Sequence, residues 1–239
     1  AVDLYVTNVG RNTLLRNDGH GRFFDSTDAA GVGDDGWGTS CAFFDYDRDG
    51  DLDLFVVNYL DWTVEGEITC FNGLGEVDYC SPQSYTAPTV DVLYRNDGDG
   101  TFTDVSDETG IGAVLGTGLG VICGDFDGDG FEDVFVANDG MPDRLWINVR
   151  GTRFEERGIR AGCAVDLDGV AKAGMGVTAS DMGLLRAAGE SYPGCSPRWR
   201  SIAASHSVGL KNMGPMPPLY ATRPSAPIST QACSSWYMG

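Results

Sequence analysis

Basic side chains are scarce in this chain of 239 residues. Lysine and arginine together number 16 against 35 aspartates and glutamates, for a formal net charge of −19. That balance argues against nucleic acid or an anionic membrane surface as a partner, since both would be repelled. Histidine occurs only as His20 and His206, and neither has an evident catalytic partner in the sequence. A Gly-x-Ser-x-Gly elbow, a phosphate loop and a dinucleotide fingerprint are all missing. So is any Cys-x-x-Cys or Cys/His cluster suited to zinc. No apolar run approaches the ~18–20 residues a membrane helix needs, and no signal peptide opens the chain. The chain starts at Ala1 already inside a strand-like run, so it reads as a fragment and the missing leader says little about compartment. These absences point to a non-enzymatic protein without membrane insertion.

What is abundant is aspartate in one spacing. The stretch Asp45-Tyr46-Asp47-Arg48-Asp49-Gly50-Asp51-Leu52-Asp53 places acids at its first, third, fifth and ninth positions, and Asp125-Phe126-Asp127-Gly128-Asp129-Gly130-Phe131-Glu132-Asp133 repeats it. Carboxylates this dense repel one another unless a cation sits among them, and the hard cation that prefers carboxylate and carbonyl oxygen is Ca²⁺. Asp45, Asp47, Asp49 and Asp53 are the side-chain ligands expected of the first loop, with the Asp51 carbonyl. Asp125, Asp127, Asp129 and Asp133 are those of the second, with the Phe131 carbonyl. The Asp51 and Glu132 side chains are expected to face water. An EF-hand shares the first half of this pattern but requires a glutamate at its twelfth position and flanking helices. Val56 and Val136 stand there instead, in β-rich runs. The remaining alternative is a solvated acidic turn without metal.

The loops belong to a longer repeat. Asp3–Asn8, Asp53–Asn58 and Asp133–Asn138 read as one strand, each running from a loop's last carboxylate into β-branched and aromatic residues. Asp3 thus reads as the end of an earlier loop. Leu14–Phe23, Leu93–Phe102 and Leu145–Phe154 each read as strand, Gly/Asp turn and strand. Trp37–Asp45, Gly118–Asp125 and Gly174–Asp181 are small-residue strands entering a loop. A unit of four short antiparallel strands recurring at this length means a β-propeller, whereas a sandwich would not repeat its loop chemistry. The expected fold is all-β: a propeller fragment of four-stranded blades over residues 1–181, an incomplete ring, with breaks near 36 and 116 and an insertion at 59–90.

At Asp181 the pattern stops. Residues 182–239 hold one acid, Glu190, against five basic residues, and prolines 215, 217, 218, 224 and 227 crowd together. This tail reads as non-repeat sequence, either out of frame in the underlying gene or disordered. The seven cysteines are 41, 70, 80, 123, 163, 195 and 233. Cys70 and Cys80 bracket a glycine-containing stretch of the insertion and are candidates for a small disulfide-closed loop, the alternative being two surface thiols. Cys41 and Cys123 lie in apolar strands and are expected to be buried and inert. Trp37, Tyr59, Trp62 and Tyr85 offer either core packing or a sugar-facing surface.

These residues resemble a known family. The loop with Trp37-Gly38 before it and Asp53–Asn58 after it is similar to the FG-GAP/VCBS repeat of integrin-α-like propellers. The hairpin Tyr94–Val105 and the insertion with Cys70 and Asp78-Tyr79-Cys80-Ser81-Pro82 resemble the cartilage acidic protein subfamily, whose members often carry an ASPIC/UnbV domain. The resemblance implies a secreted or cell-surface protein whose precursor has a signal peptide, Ca²⁺ in the loops, and a role in adhesion or in binding an extracellular protein or glycan. Two other readings stay open: a propeller module of a polysaccharide-degrading enzyme, and a purely structural module of a larger surface protein.

Overall fold

A computed structural model describes residues 1–178 and the strand at 203–206. The elements run in chain order β1 (Leu4–Val6), β2 (Thr13–Asn17), β3 (Phe23–Asp25), α1 (Thr27–Ala30), β4 (Gly38–Phe44), β5 (Asp53–Asn58), β6 (Cys70–Phe71), β7 (Val77–Asp78), β8 (Val92–Asn96), β9 (Phe102–Asp104), α2 (Ser106–Thr109), β10 (Gly118–Gly124), β11 (Asp133–Asn138), β12 (Arg144–Asn148), β13 (Phe154–Glu156), α3 (Gly158–Ala161), β14 (Gly174–Thr178) and β15 (Ala203–His206). Two antiparallel four-stranded sheets, β4-β5-β8-β9 and β10-β11-β12-β13, are flanked by the three-stranded β1-β2-β3 and the pair β14-β15. These are propeller blades: all-β, stacked and open among the described residues. Asp181 and the rest of 182–239 lie outside the described residues, apart from β15, which pairs with β14 from Gly174↔His206 to Thr178↔Ala203.

The second strand of each full blade explains why the blades stack. Every residue of β5 and of β11 is buried. Period-two geometry sends alternate side chains to opposite sheet faces. Phe55 and Val57 accordingly join Val134, Val136 and Trp146 in the core between the second and third blades. Leu54 and Val56 join Tyr5, Leu14 and Val32 on the other side. From β11, Phe135 and Ala137 face away from that first core, with Leu145 and Ile147. Each central strand therefore feeds two hydrophobic cores, which is why its sequence is continuously apolar instead of alternating. Full burial of such side chains contributes ~1.5–3 kcal/mol each.

Each outer strand ends in a single helical turn, α1, α2 or α3, closed by a left-handed glycine: Gly31, Gly110 or Gly162. Glycine adopts that conformation without the Cβ clash. The chain then returns to the small-residue strand of the next blade. There Thr39 Oγ1 donates to the Gly118 carbonyl at 2.8 Å, tying β4 to β10.

Candidate metal centre

The two aspartate-rich loops join β4 to β5 and β10 to β11, so strands flank them on both sides. Val56 and Val136 are fully buried in those strands, and no carboxylate occupies the twelfth position an EF-hand would require. Gly50 and Gly130 take φ of 96° and 92°, a region closed to ordinary side chains, and they turn the chain back over its own acids. Their N–H groups donate to Asp45 Oδ2 at 3.2 Å and Asp125 Oδ2 at 3.0 Å. Fifth-position acids fold inward by the same logic: Asp49 Oδ1 accepts from Asp51 N at 2.9 Å and Asp129 Oδ1 from Phe131 N at 2.9 Å.

The fold brings oxygens of Asp45, Asp47 and Asp49 within 4.8 Å of one another, and likewise those of Asp125, Asp127 and Asp133. Asp53 is not in the first group, and Asp129 is not in the second. Asp53 and Asp133 are completely buried and hold the loops together. Asp53 accepts N–H groups from Tyr46 at 3.0 Å and Asn96 at 2.8 Å. Asp133 accepts from Phe126 at 2.8 Å and Asn148 at 2.8 Å. Asp3 accepts from Asn17 N at 2.8 Å in the matching place of the first blade. The ninth-position acid thus pins the start of the neighbouring hairpin in all three blades. Asp51 is exposed, as expected, with Oδ2 3.0 Å from where a Cβ on Gly98 would lie.

Glu132 departs from the sequence reading. Its side chain is half-buried and does not simply face water: Oε2 accepts the Asp45 N–H at 3.1 Å, from one blade to the next. The reason is the docking of adjacent loops, which no local pattern encodes.

Electrostatics expose the cost of these loops without a cation. Burial pushes Asp53 up to about 7, with Asp47 and Asp49 adding to the rise and the Asn96 and Tyr46 N–H groups opposing it. Asp133 is pushed to about 7 in the same way, with Asp127 adding. Asp47 is raised first by burial and then by Asp49. A divalent cation reverses that pressure by favouring every ionised carboxylate around it.

The residues present fit such an ion. Asp45 Oδ1 is shielded from solvent and has no hydrogen-bond partner, which is costly unless something positive meets it. The donor set is all hard oxygen on short loops, the chemistry of Ca²⁺. Asp45, Asp47 and Asp49 would hold one ion, and Asp125, Asp127 and Asp133 another.

The remaining candidates fall elsewhere. Cys70 and Cys80 are joined in a disulfide, with Cα atoms 5.1 Å apart. Cys41 and Cys163 are buried and Cys123 is partly buried; desolvation holds the Cys123 thiol well above its ordinary range, as expected of an inert cysteine. Cys195 and Cys233 lie outside the described residues. Trp37 packs edge-on against Tyr59 at 5.4 Å and Trp62 at 5.6 Å. Tyr59 is buried and donates to Asp139 at 2.6 Å, while Trp62 and Tyr85 donate to Glu67. His20 is exposed in the β2–β3 turn.

This stacked, loop-bearing architecture is that of the FG-GAP-like repeat. The sequence model of that repeat matches residues 1–56 and 71–136, more than half of the chain, and the chain belongs to that family. It is also similar to Cartilage acidic protein 1 of Xenopus tropicalis, at 40% identity over 57 residues. That alignment covers 24% of this chain and 9% of the relative. No helix among the described residues is long and apolar enough to cross a membrane.

Proposed function

We propose that the chain is a calcium-stabilised, non-enzymatic propeller module that works outside the cell by binding a protein partner. Family membership supports a propeller module, and the Cys70–Cys80 disulfide supports an oxidising compartment. The orphaned Asp45 Oδ1 inside a carboxylate cluster carries the calcium reading. The metal is structural here, stiffening the turn that links the first two strands of a blade.

The insertion carries the binding reading. It follows β5 at the end opposite the acidic loop, so the two project from opposite ends of the blade. Between β6 and β7 and around them, Phe71 (63%), Leu74 (86%), Val77 (74%) and Tyr79 (99%) are exposed on a ribbon closed by the disulfide. A cluster of exposed apolar side chains on a stapled loop is a recognition feature. A protein surface suits it better than a glycan, because the Tyr59, Trp62 and Tyr85 polar groups are already engaged within the chain.

Two measurements test this. Melting in excess Ca²⁺ and in EGTA should differ by several degrees, and Asp47→Ala with Asp127→Ala should abolish the difference; equal melting temperatures in the parent chain sink the calcium reading. On an array of purified secreted proteins and glycans, Phe71→Ser with Tyr79→Ser should erase binding to any protein hit. Turnover of a polysaccharide would favour the enzymatic alternative instead.

A further inference from the structure

The two acidic loops, 80 residues apart in sequence, meet in space both directly and through the β12–β13 hairpin. Glu132 of the second loop caps the Asp45 N–H of the first at 3.1 Å. The Asn148 amide donates to the Tyr46 carbonyl at 2.8 Å and to the Glu132 carbonyl at 3.0 Å, so one side chain bridges both loops. Arg48 of the first loop, held at φ 65°, places its guanidinium 5.2 Å from the Phe131 ring centroid. A Cβ on Gly151 would stand 2.8 Å from Asp47 Cα, so the hairpin after β12 presses directly on the first loop.

We propose that the two loops bind cations as a coupled pair, with Glu132 and Asn148 as the positioning residues that transmit the coupling. The proposal rests on the calcium reading above. Glu132 precedes the cluster member Asp133, and its carboxylate fixes the backbone of Asp45, the residue whose Oδ1 is unpartnered. An ion gathering Asp125, Asp127 and Asp133 orders the segment carrying Glu132. It thereby holds Asp45 in ligating position in the next blade. Linkage makes the effect reciprocal: an ion in the first loop tightens the second by the same factor. Repulsion between the two ions opposes this only weakly. Each loop carries five acids against at most one arginine, so each stays negative when filled.

Calcium titration calorimetry at physiological salt on the full chain decides the matter. We expect two ions in the parent chain. Asp127→Ala should leave one ion, bound to loop 45–53 about fivefold or more weakly than in the parent. Glu132→Ala, which removes no ligand, should keep both ions and weaken loop 45–53 by a similar factor. Glu132→Gln should restore it in large part, because the amide oxygen can still accept from Asp45. Should Asp127→Ala not fold, the Ala/Gln comparison at Glu132 stands on its own. Two ions with independent affinities, unchanged by Glu132→Ala, overturn the coupling while leaving the calcium reading intact. No ion bound by any variant overturns both.

Discussion

The Asn148 amide donates to the Tyr46 carbonyl across 102 residues of sequence. It is almost fully buried, and its Oδ1 accepts from Gly151 N at 2.7 Å. Its counterpart Asn96 is half-exposed and donates to the Leu52 carbonyl of its own blade at 3.0 Å. Truncating a buried amide strands its partners, whereas water replaces a lost bond at an exposed one. We expect Asn148→Ala to cost ~2–4 kcal/mol and Asn96→Ala ~1 kcal/mol, by denaturant unfolding in EGTA. Equal costs would mean that the inter-blade bridge contributes nothing.

A second pair of acids sits at the other end of the blades. Asp91 accepts from Asn58 N at 3.1 Å and Asp143 from Asn138 N at 2.8 Å, and the first blade uses Asn12 for the same bond, to Asn8 N at 2.7 Å. Burial pushes Asp91 and Asp143 up to about 7, against the pull of the Asn58 and Asn138 N–H groups and of Arg144. With folded-state values above the unfolded ones, the native state holds more protons between about pH 4 and 7. The contribution of these two groups to stability therefore falls as pH rises through that window and levels off above it. Asp91→Asn keeps the acceptor, as Asn12 already does, and removes the ionisable group. Relative to the parent chain it should gain ~1–4 kcal/mol on going from pH 4.5 to pH 7.5 in EGTA. A flat difference across that range would show that Arg144 keeps the buried carboxylate charged at no cost.

The strand repeat, both aspartate loops and the Cys70–Cys80 closure were legible because each is a short-range signal. Alternation, a glycine at a forced turn and a pair of nearby cysteines all act within a dozen residues. Contacts between blades were not legible. Glu132 reads as solvent-facing from its own loop, and only the neighbouring blade's Asp45 N–H changes that. Asn17, Asn96 and Asn148 lie unremarked inside the strand–turn–strand segments, yet each donates its backbone N–H to the ninth-position carboxylate. Their recurrence at the same place in every hairpin was the available signal. Asp91 and Asp143 were missed because an isolated aspartate beside a strand looks like a surface residue.

The stapled ribbon makes a different kind of demand. Its closing disulfide removes ~2.5–3 kcal/mol of freedom from the open loop on a chain-entropy view. Yet Leu74, Val77 and Tyr79 are strongly exposed, so the ribbon adds little to the blade cores. Cys70→Ser with Cys80→Ser should therefore melt the ribbon locally and leave global unfolding nearly where it was. Limited proteolysis should cut within 64–79 at least several times faster, with the melting temperature shifted by no more than ~2 °C. A much larger thermal loss would place the ribbon inside the cooperative unit.

Gly118 opens β10 against the second blade, where its carbonyl accepts from Thr39 Oγ1. A Cβ there would overlap Val57 Cγ1 and stand 3.1 Å from Val136 Cγ1 and 3.4 Å from the Asn58 carbonyl. Val57 and Val136 are fully buried in the core between those blades, so neither can swing aside. Gly118→Ala should cost ~1–3 kcal/mol through overpacking, despite the better strand preference of alanine. Gly73, with nothing within 4 Å of its Cβ position and an ordinary φ, serves as the control and should change by less than ~0.5 kcal/mol. If Gly118→Ala proves as mild as Gly73→Ala in denaturant unfolding, the blades do not approach as closely as this packing requires.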